Sequence, residues 1–129
     1  MLFRSDLETK TCSSYVGKTM IPLNSDLRGG SQVLTWKDIG YFTLVHETYL
    51  YQSEQSRKNG KYRHRFVLWD KSWNIIKISE PFSFGEAHIE FAAGMCYHKD
   101  NLLISFGIQD NAAYILRCPI KMIEEALNV

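Results

Sequence analysis

The chain has 129 residues, 45% of them hydrophobic and 13% aromatic, and a formal charge of +1 from 15 Lys and Arg against 14 Asp and Glu. A composition this rich in core-forming residues excludes intrinsic disorder for the bulk of the chain, and its length suits one domain that folds without disulfide support. The near balance of charge, with no long run of one sign, gives no electrostatic basis for a nucleic-acid or anionic membrane partner.

Residues 1 to 17 carry little periodicity and read as an irregular N-terminal arm, leaving 18 to 129 as a single β domain. Ser31 to Trp36 is apolar and β-branched, Lys37 to Gly40 supplies a turn, and Tyr41 to Tyr51 alternates aromatic and β-branched residues as a strand with one wet face does. Gln52 to Gly60 is polar and ends in Asn59-Gly60, the strongest hairpin signal in the chain. Its basic cluster of Arg57, Lys58, Lys61, Arg63 and Arg65 reads as a solvated hairpin tip with one functional arginine.

Lys61 to Trp69 and Asn74 to Ser79 follow as strands around a turn at residues 70–73. These segments make one four-stranded antiparallel meander, the unit of a propeller blade. The pattern restarts with strands at Ile89 to Tyr97, Leu102 to Ile108 and Ala112 to Arg117. Pro119 then opens a short helix whose Ile120, Ile123 and Leu127 share one face and cover an edge of the sheet. The expected fold is therefore all-β, two four-stranded antiparallel propeller-type blades with a short C-terminal helix. A loose correspondence between Phe42 to His46 and Leu102 to Phe106 supports two stacked units.

Cys12, Cys96 and Cys118 are odd in number and widely spaced, without zinc-ligand spacing, so no metal or other cofactor is expected. Reduced thiols, with Cys96 and Cys118 buried, suit a cytoplasmic protein. No apolar run reaches the length of a membrane span, and the first ten residues lack a signal-peptide core.

The polar residues placed at strand starts or inside apolar strands are Arg28, Ser31, Gln32, His46, Glu47, Tyr62, Arg63, His64, Arg65, Glu90 and Asp110. A charged or imidazole group in such a place needs a partner or a ligand. Arg28 ahead of Gly29 and Gly30 suits an anion, or equally a salt bridge beside a Gly-Gly turn. His46 and Glu47 face opposite sides of their strand, so one of them is structural and His46 is favoured for a site. Tyr62 and His64 share a face and suit sugar hydroxyls and a pyranose ring, or aromatic packing. Glu90 and Asp110 are the candidates for a paired-carboxylate glycoside cleavage; the alternative is an Arg partner for Glu90 and a turn cap for Asp110.

The ordered motifs Leu27-Arg-Gly-Gly-Ser-Gln32, Gly40-Tyr-Phe-Thr-Leu-Val-His46, Tyr62-Arg-His-Arg-Phe66, Ile78-Ser-Glu-Pro-Phe82, Ile89-Glu-Phe-Ala-Ala-Gly94 and Leu103-Ile-Ser-Phe-Gly-Ile-Gln-Asp110 carry a family resemblance. Together, from about Asn24 to Leu127, they resemble the C-terminal half of five-bladed propellers related to β-mannoside phosphorylases and hydrolases, segments also found with bacterial glycosyltransferases. The resemblance implies a phosphate- or substrate-binding role for His46, a cavity-lining place for Arg28 and a sugar contact for Asp110. The family's proton-donating Asp belongs to an earlier blade that has no counterpart here. The implied function is a carbohydrate-binding or accessory domain, with Arg28, Ser31, Gln32, His46, Tyr62, His64 and Asp110 contacting a sugar or sugar phosphate. The alternatives are a glycosidase or phosphorylase completed by homo-oligomerisation, and an interaction module whose Trp36, Trp69 and Trp73 are core and interface. Two blades leave open edges, so a homodimer or higher homo-oligomer is expected.

Overall fold

A computed structural model describes residues 2–15, 26–52 and 58–129. The described residues are mostly β-strand with one C-terminal helix, and no helix among them is long and apolar enough to cross a membrane. In chain order the strands are β1 (Leu2–Asp6), β2 (Thr11–Tyr15), β3 (Leu27–Arg28), β4 (Leu34–Trp36), β5 (Gly40–Gln52), β6 (Lys58–Asp70), β7 (Ile75–Ile78), β8 (Glu90–His98), β9 (Asn101–Ile108) and β10 (Ala112–Pro119), followed by helix α1 (Ile120–Leu127).

β5 and β6 form the spine of the larger sheet, an antiparallel ladder from Gly40 opposite Asp70 to Gln52 opposite Lys58. β7 continues the order on the far side of β6, while β3 and β4 divide the other side of β5 between them. Taken together, β3 and β4 occupy one strand position, so this sheet is the expected four-position meander with a broken edge. The interruption falls at residues 29–33, where the Ser31 N–H still reaches the Leu44 carbonyl (2.9 Å) and a Cβ on Gly30 would meet that same carbonyl oxygen at 2.5 Å.

The second sheet has three strands in the order β10-β9-β8, which corrects the expectation of a second four-stranded unit. Residues 79–88 run along the free part of β6 instead of adding a fourth strand. Ser79 N–H donates to the Phe66 carbonyl, His64 and Phe82 exchange both backbone bonds (2.7 and 2.9 Å), and Tyr62 N–H donates to the His88 carbonyl. Pro81 and Gly85 within this segment prevent a continuous strand, yet the backbone donors of β6 are still satisfied.

The facing sides of the two sheets build one core. Phe42, Leu44, Phe66 and Leu68 from the first pack with Ala92, Met95, Leu102 and Ile104 from the second, and Ile123 and Leu127 close it. The helix therefore covers apolar surface with the face that its spacing predicts. Pro119 is its N-cap, one position earlier than expected, and Asn128 in the left-handed region ends it. The Lys37 ammonium bonds the Glu124 carboxylate and ties α1 to the β4–β5 turn. Trp36 and Trp69 are buried, whereas Trp73, at φ 64°, stacks on Tyr41 with ring centres 4.1 Å apart.

Three further expectations are corrected. Residues 2–15 are an ordered hairpin rather than an irregular arm. Its turn is fixed by the Asp6 carboxylate accepting from the Glu8 and Thr9 N–H groups, with Lys10 at φ 53°. Every side chain described from Ser5 to Ser14 is exposed, so no apolar alternation exists to reveal it. Asn59 and Gly60 lie inside β6, opposite Tyr51 and Leu50, because the long ladder outweighs a local turn preference; the connection itself falls at 53–57, outside the described residues. Cys96 is exposed and Cys118 only half-buried, since Met95 takes the core-facing position of β8 and turns its neighbour outward. Cys12 is also exposed, and all three thiols are free.

A Cβ on Gly40 would lie 2.1 Å from the Trp69 carbonyl oxygen and 2.7 Å from the Asp70 carbonyl carbon, both of them backbone atoms that cannot swing aside. Gly40→Ala is therefore expected to lower unfolding free energy by roughly 2 kcal/mol in urea titrations monitored by tryptophan fluorescence. A Gly40→Ala protein as stable as the wild type contradicts this close approach.

Candidate functional site

One transverse row of residues crosses the larger sheet where the shared core ends. Arg28 on β3 is opposite His46 on β5, His46 is opposite His64 on β6, and His64 is bridged to Phe82. Directly opposed residues share a face, so the guanidinium and both imidazoles line up toward the second sheet. Burial deepens along the row: the Arg28 side chain is 50% exposed, His46 6% and His64 0%. The β3–β5 register thus places Arg28 directly opposite His46.

Near the surface, the His46 ring packs with Tyr62 and Phe91, both centroids 5.3 Å away. The Gly29 carbonyl accepts a hydrogen bond from this ring, while Nδ1 is buried without a hydrogen-bond partner. Burial pushes the His46 pKa below the ordinary imidazole value; the Gly29 carbonyl opposes that shift and the Arg28 charge reinforces it. At neutral pH the ring is uncharged. Arg28 is engaged with Asp26 at 3.2 Å, an exposed pair that competing ligands can open at little cost.

At the deep end His64 Nε2 lies 3.7 Å from Glu90 Oε2, and both side chains are fully buried. That carboxylate would favour an imidazolium, whereas burial opposes one. Burial prevails because the separation exceeds a hydrogen bond and the Glu90 oxygens already accept from the Phe84 and Gly85 N–H groups at 2.7 and 2.9 Å. Burial and the nearby His46 hold the His64 pKa down to about 4. Phe84 stacks on its ring at 4.2 Å.

The remaining residues expected in the site are placed elsewhere. The Ser31 hydroxyl bonds Thr43 and receives the Leu44 N–H, which secures the break between β3 and β4. The Gln32 amide receives the Met95 N–H at 3.0 Å and donates to the Met95 carbonyl, linking the two sheets. Asp110 stands exposed in the β9–β10 turn at φ 53°. Glu90 is sealed in the interior and Asp110 faces solvent, so the two acids do not form a carboxylate pair across one cavity. Glu47 is buried on the opposite face against Arg65 (3.0 Å), which makes it structural, as its alternation with His46 predicts, and removes Arg65 from the solvated basic cluster.

Phe91 and Phe84 are the residues of this region that sequence reasoning missed. Phe91 carried a usable signal, an aromatic on the wet side of a strand next to a buried acid. Phe84 sits in an irregular segment where side-chain direction has no period to follow. Among the described residues no three His, Cys, Asp or Glu side chains gather as a metal site. The chain matches no family model, no curated protein and no solved structure.

The unfolded chain protonates histidine near 6.5 and the folded chain protonates His64 near 4, so the unfolded state binds more protons between these values. The stability due to neutral His64 is complete above pH 6.5 and is lost as pH falls toward 4, by on the order of 3 kcal/mol. Urea unfolding at pH 7 and pH 4.5 checks this: the wild type is expected to lose more stability than His64→Leu, and equal losses contradict it.

Proposed function

We propose that the chain is a noncatalytic carbohydrate-binding or accessory domain that takes a sugar or sugar phosphate at the mouth formed by Arg28, His46, Tyr62 and Phe91. The observation that carries this reading is the neutral imidazole of His46 in contact with two aromatic rings and opposite a half-exposed arginine. Aromatic faces suit the apolar side of a pyranose, and Arg28 suits a phosphate or carboxylate on the sugar. Glu90 supports the site from beneath rather than acting on a ligand.

In this reading the two sheets are propeller-type blades, supported by the four strand positions of the first meander and by the resemblance of the motif order. The open edge at β10 favours association of two or more copies. The widely spaced free cysteines favour the cytoplasm.

Titration of the protein with mannose and mannose 1-phosphate, followed by NMR and calorimetry, tests the proposal. Saturable binding is expected, with shifts at Phe91 and Tyr62. Arg28→Ala should weaken the phosphate ester about fivefold or more and change free-sugar affinity little, while Tyr62→Ala weakens both. The absence of binding to either probe at millimolar concentration overturns the assignment.

A further inference from the structure

A second recess lies on the other side of Phe84 from His64. It opens between the two sheets where α1 leans over them and has a volume of about 620 Å³, within the range of small-molecule sites. Phe66 and Ile104 lie at its core side, one from each sheet; Phe82 and Phe84 form one wall, and Leu116 and Cys118 of β10 form another. Met122 and Ala126 line it from α1, and the methionine, 58% exposed, is a side chain that can fold over an occupant.

The lining carries charge of only one sign. Glu80 and Glu125 are its ionisable carboxylates, and no Lys, Arg or His lines it among the described residues. Met122, Glu125 and Ala126 of α1 and its C-cap Asn128 form the helical side, and the last turn of α1 contains no basic residue. The carbonyl end of a helix is electronegative, so backbone and side chains add in the same direction. An apolar recess with an acidic rim fits a ligand with a matching division: an apolar body and one positive charge.

We propose that this recess binds a small amphipathic cation, such as an aromatic or alkyl amine, with its apolar body on Phe66, Phe84 and Ile104 and its ammonium between Glu80 and Glu125. The proposal is independent of the carbohydrate reading, because none of Arg28, His46, Tyr62 or Phe91 lines the recess. Cys118 gives it a built-in reporter: burial raises the thiol pKa, so its slow alkylation slows further when the recess is filled. Exposed Cys12 and Cys96 serve as internal controls.

The test uses dansylcadaverine, an apolar fluorophore with a terminal ammonium, against the dansyl derivative of 6-aminohexanoic acid, which carries a carboxylate at the end of a similar tether. Saturable fluorescence enhancement is expected with the amine, together with slower maleimide labelling of Cys118 and unchanged labelling of Cys12 and Cys96, resolved by mass spectrometry. Glu80→Gln combined with Glu125→Gln should weaken the amine about tenfold. Ala126→Trp, an exposed helix position, should abolish binding by filling the recess while leaving the circular dichroism spectrum intact. Equal or tighter binding of the carboxylate probe overturns the charge assignment. Binding without protection of Cys118, or no binding of the amine, overturns the site.

Discussion

Two sheets, each with one apolar face, must bury those faces against each other, and the layer between them is the constraint on which the rest of the molecule depends. Phe42, Leu44, Phe66 and Leu68 meet Ala92, Met95, Leu102 and Ile104 across it, and Ile123 and Leu127 of α1 complete the closure. Burial of this kind is non-directional and tolerates many local arrangements. It therefore leaves the ends of the layer to be settled by other forces. At one end polar side chains occupy the core-facing positions; near the helix the sheets diverge around a recess.

How much of this was legible follows from the same physics. β5, β6, β8 and β9 announce themselves because their alternate residues face a dry layer, and Ile123 and Leu127 reveal α1 by their spacing. The β1–β2 hairpin faces water where its side chains are described, and its turn depends on one Asp6 carboxylate, so periodicity is silent there. Ser31 and Gln32 stand beside glycines in a polar loop that resembles a ligand loop. Their roles depend on Leu44 and on Met95, 63 residues from Gln32, a separation that no local pattern encodes. The opposed faces of His46 and Glu47 were legible for the reverse reason, since strand geometry alone fixes them.

The candidate carbohydrate mouth and the acidic-rimmed recess share a partition. Phe84 stacks on His64 with one face of its environment and lines the recess with the other, while its backbone N–H secures Glu90. Phe82 contributes in parallel, bridging β6 by its backbone and packing against Phe66 at 5.1 Å. Residues 79–88 are thus more than a connection between sheets. They supply the wall that keeps a histidine neutral on one side and leaves apolar surface accessible on the other.

The Gln32 amide has a consequence beyond joining two sheets. β8 is an edge strand, and its free side presents backbone donors and acceptors that any extended peptide could use. By engaging both the N–H and the carbonyl of Met95, one side chain imitates a rung of an absent neighbouring strand. It does so beside the register shift at Ala92 and Gly94, where the edge is already irregular. An incoming strand would have to displace that amide before it could zip along β8. Two hydrogen bonds from one glutamine thereby occupy the rung at Met95 that an added strand would need.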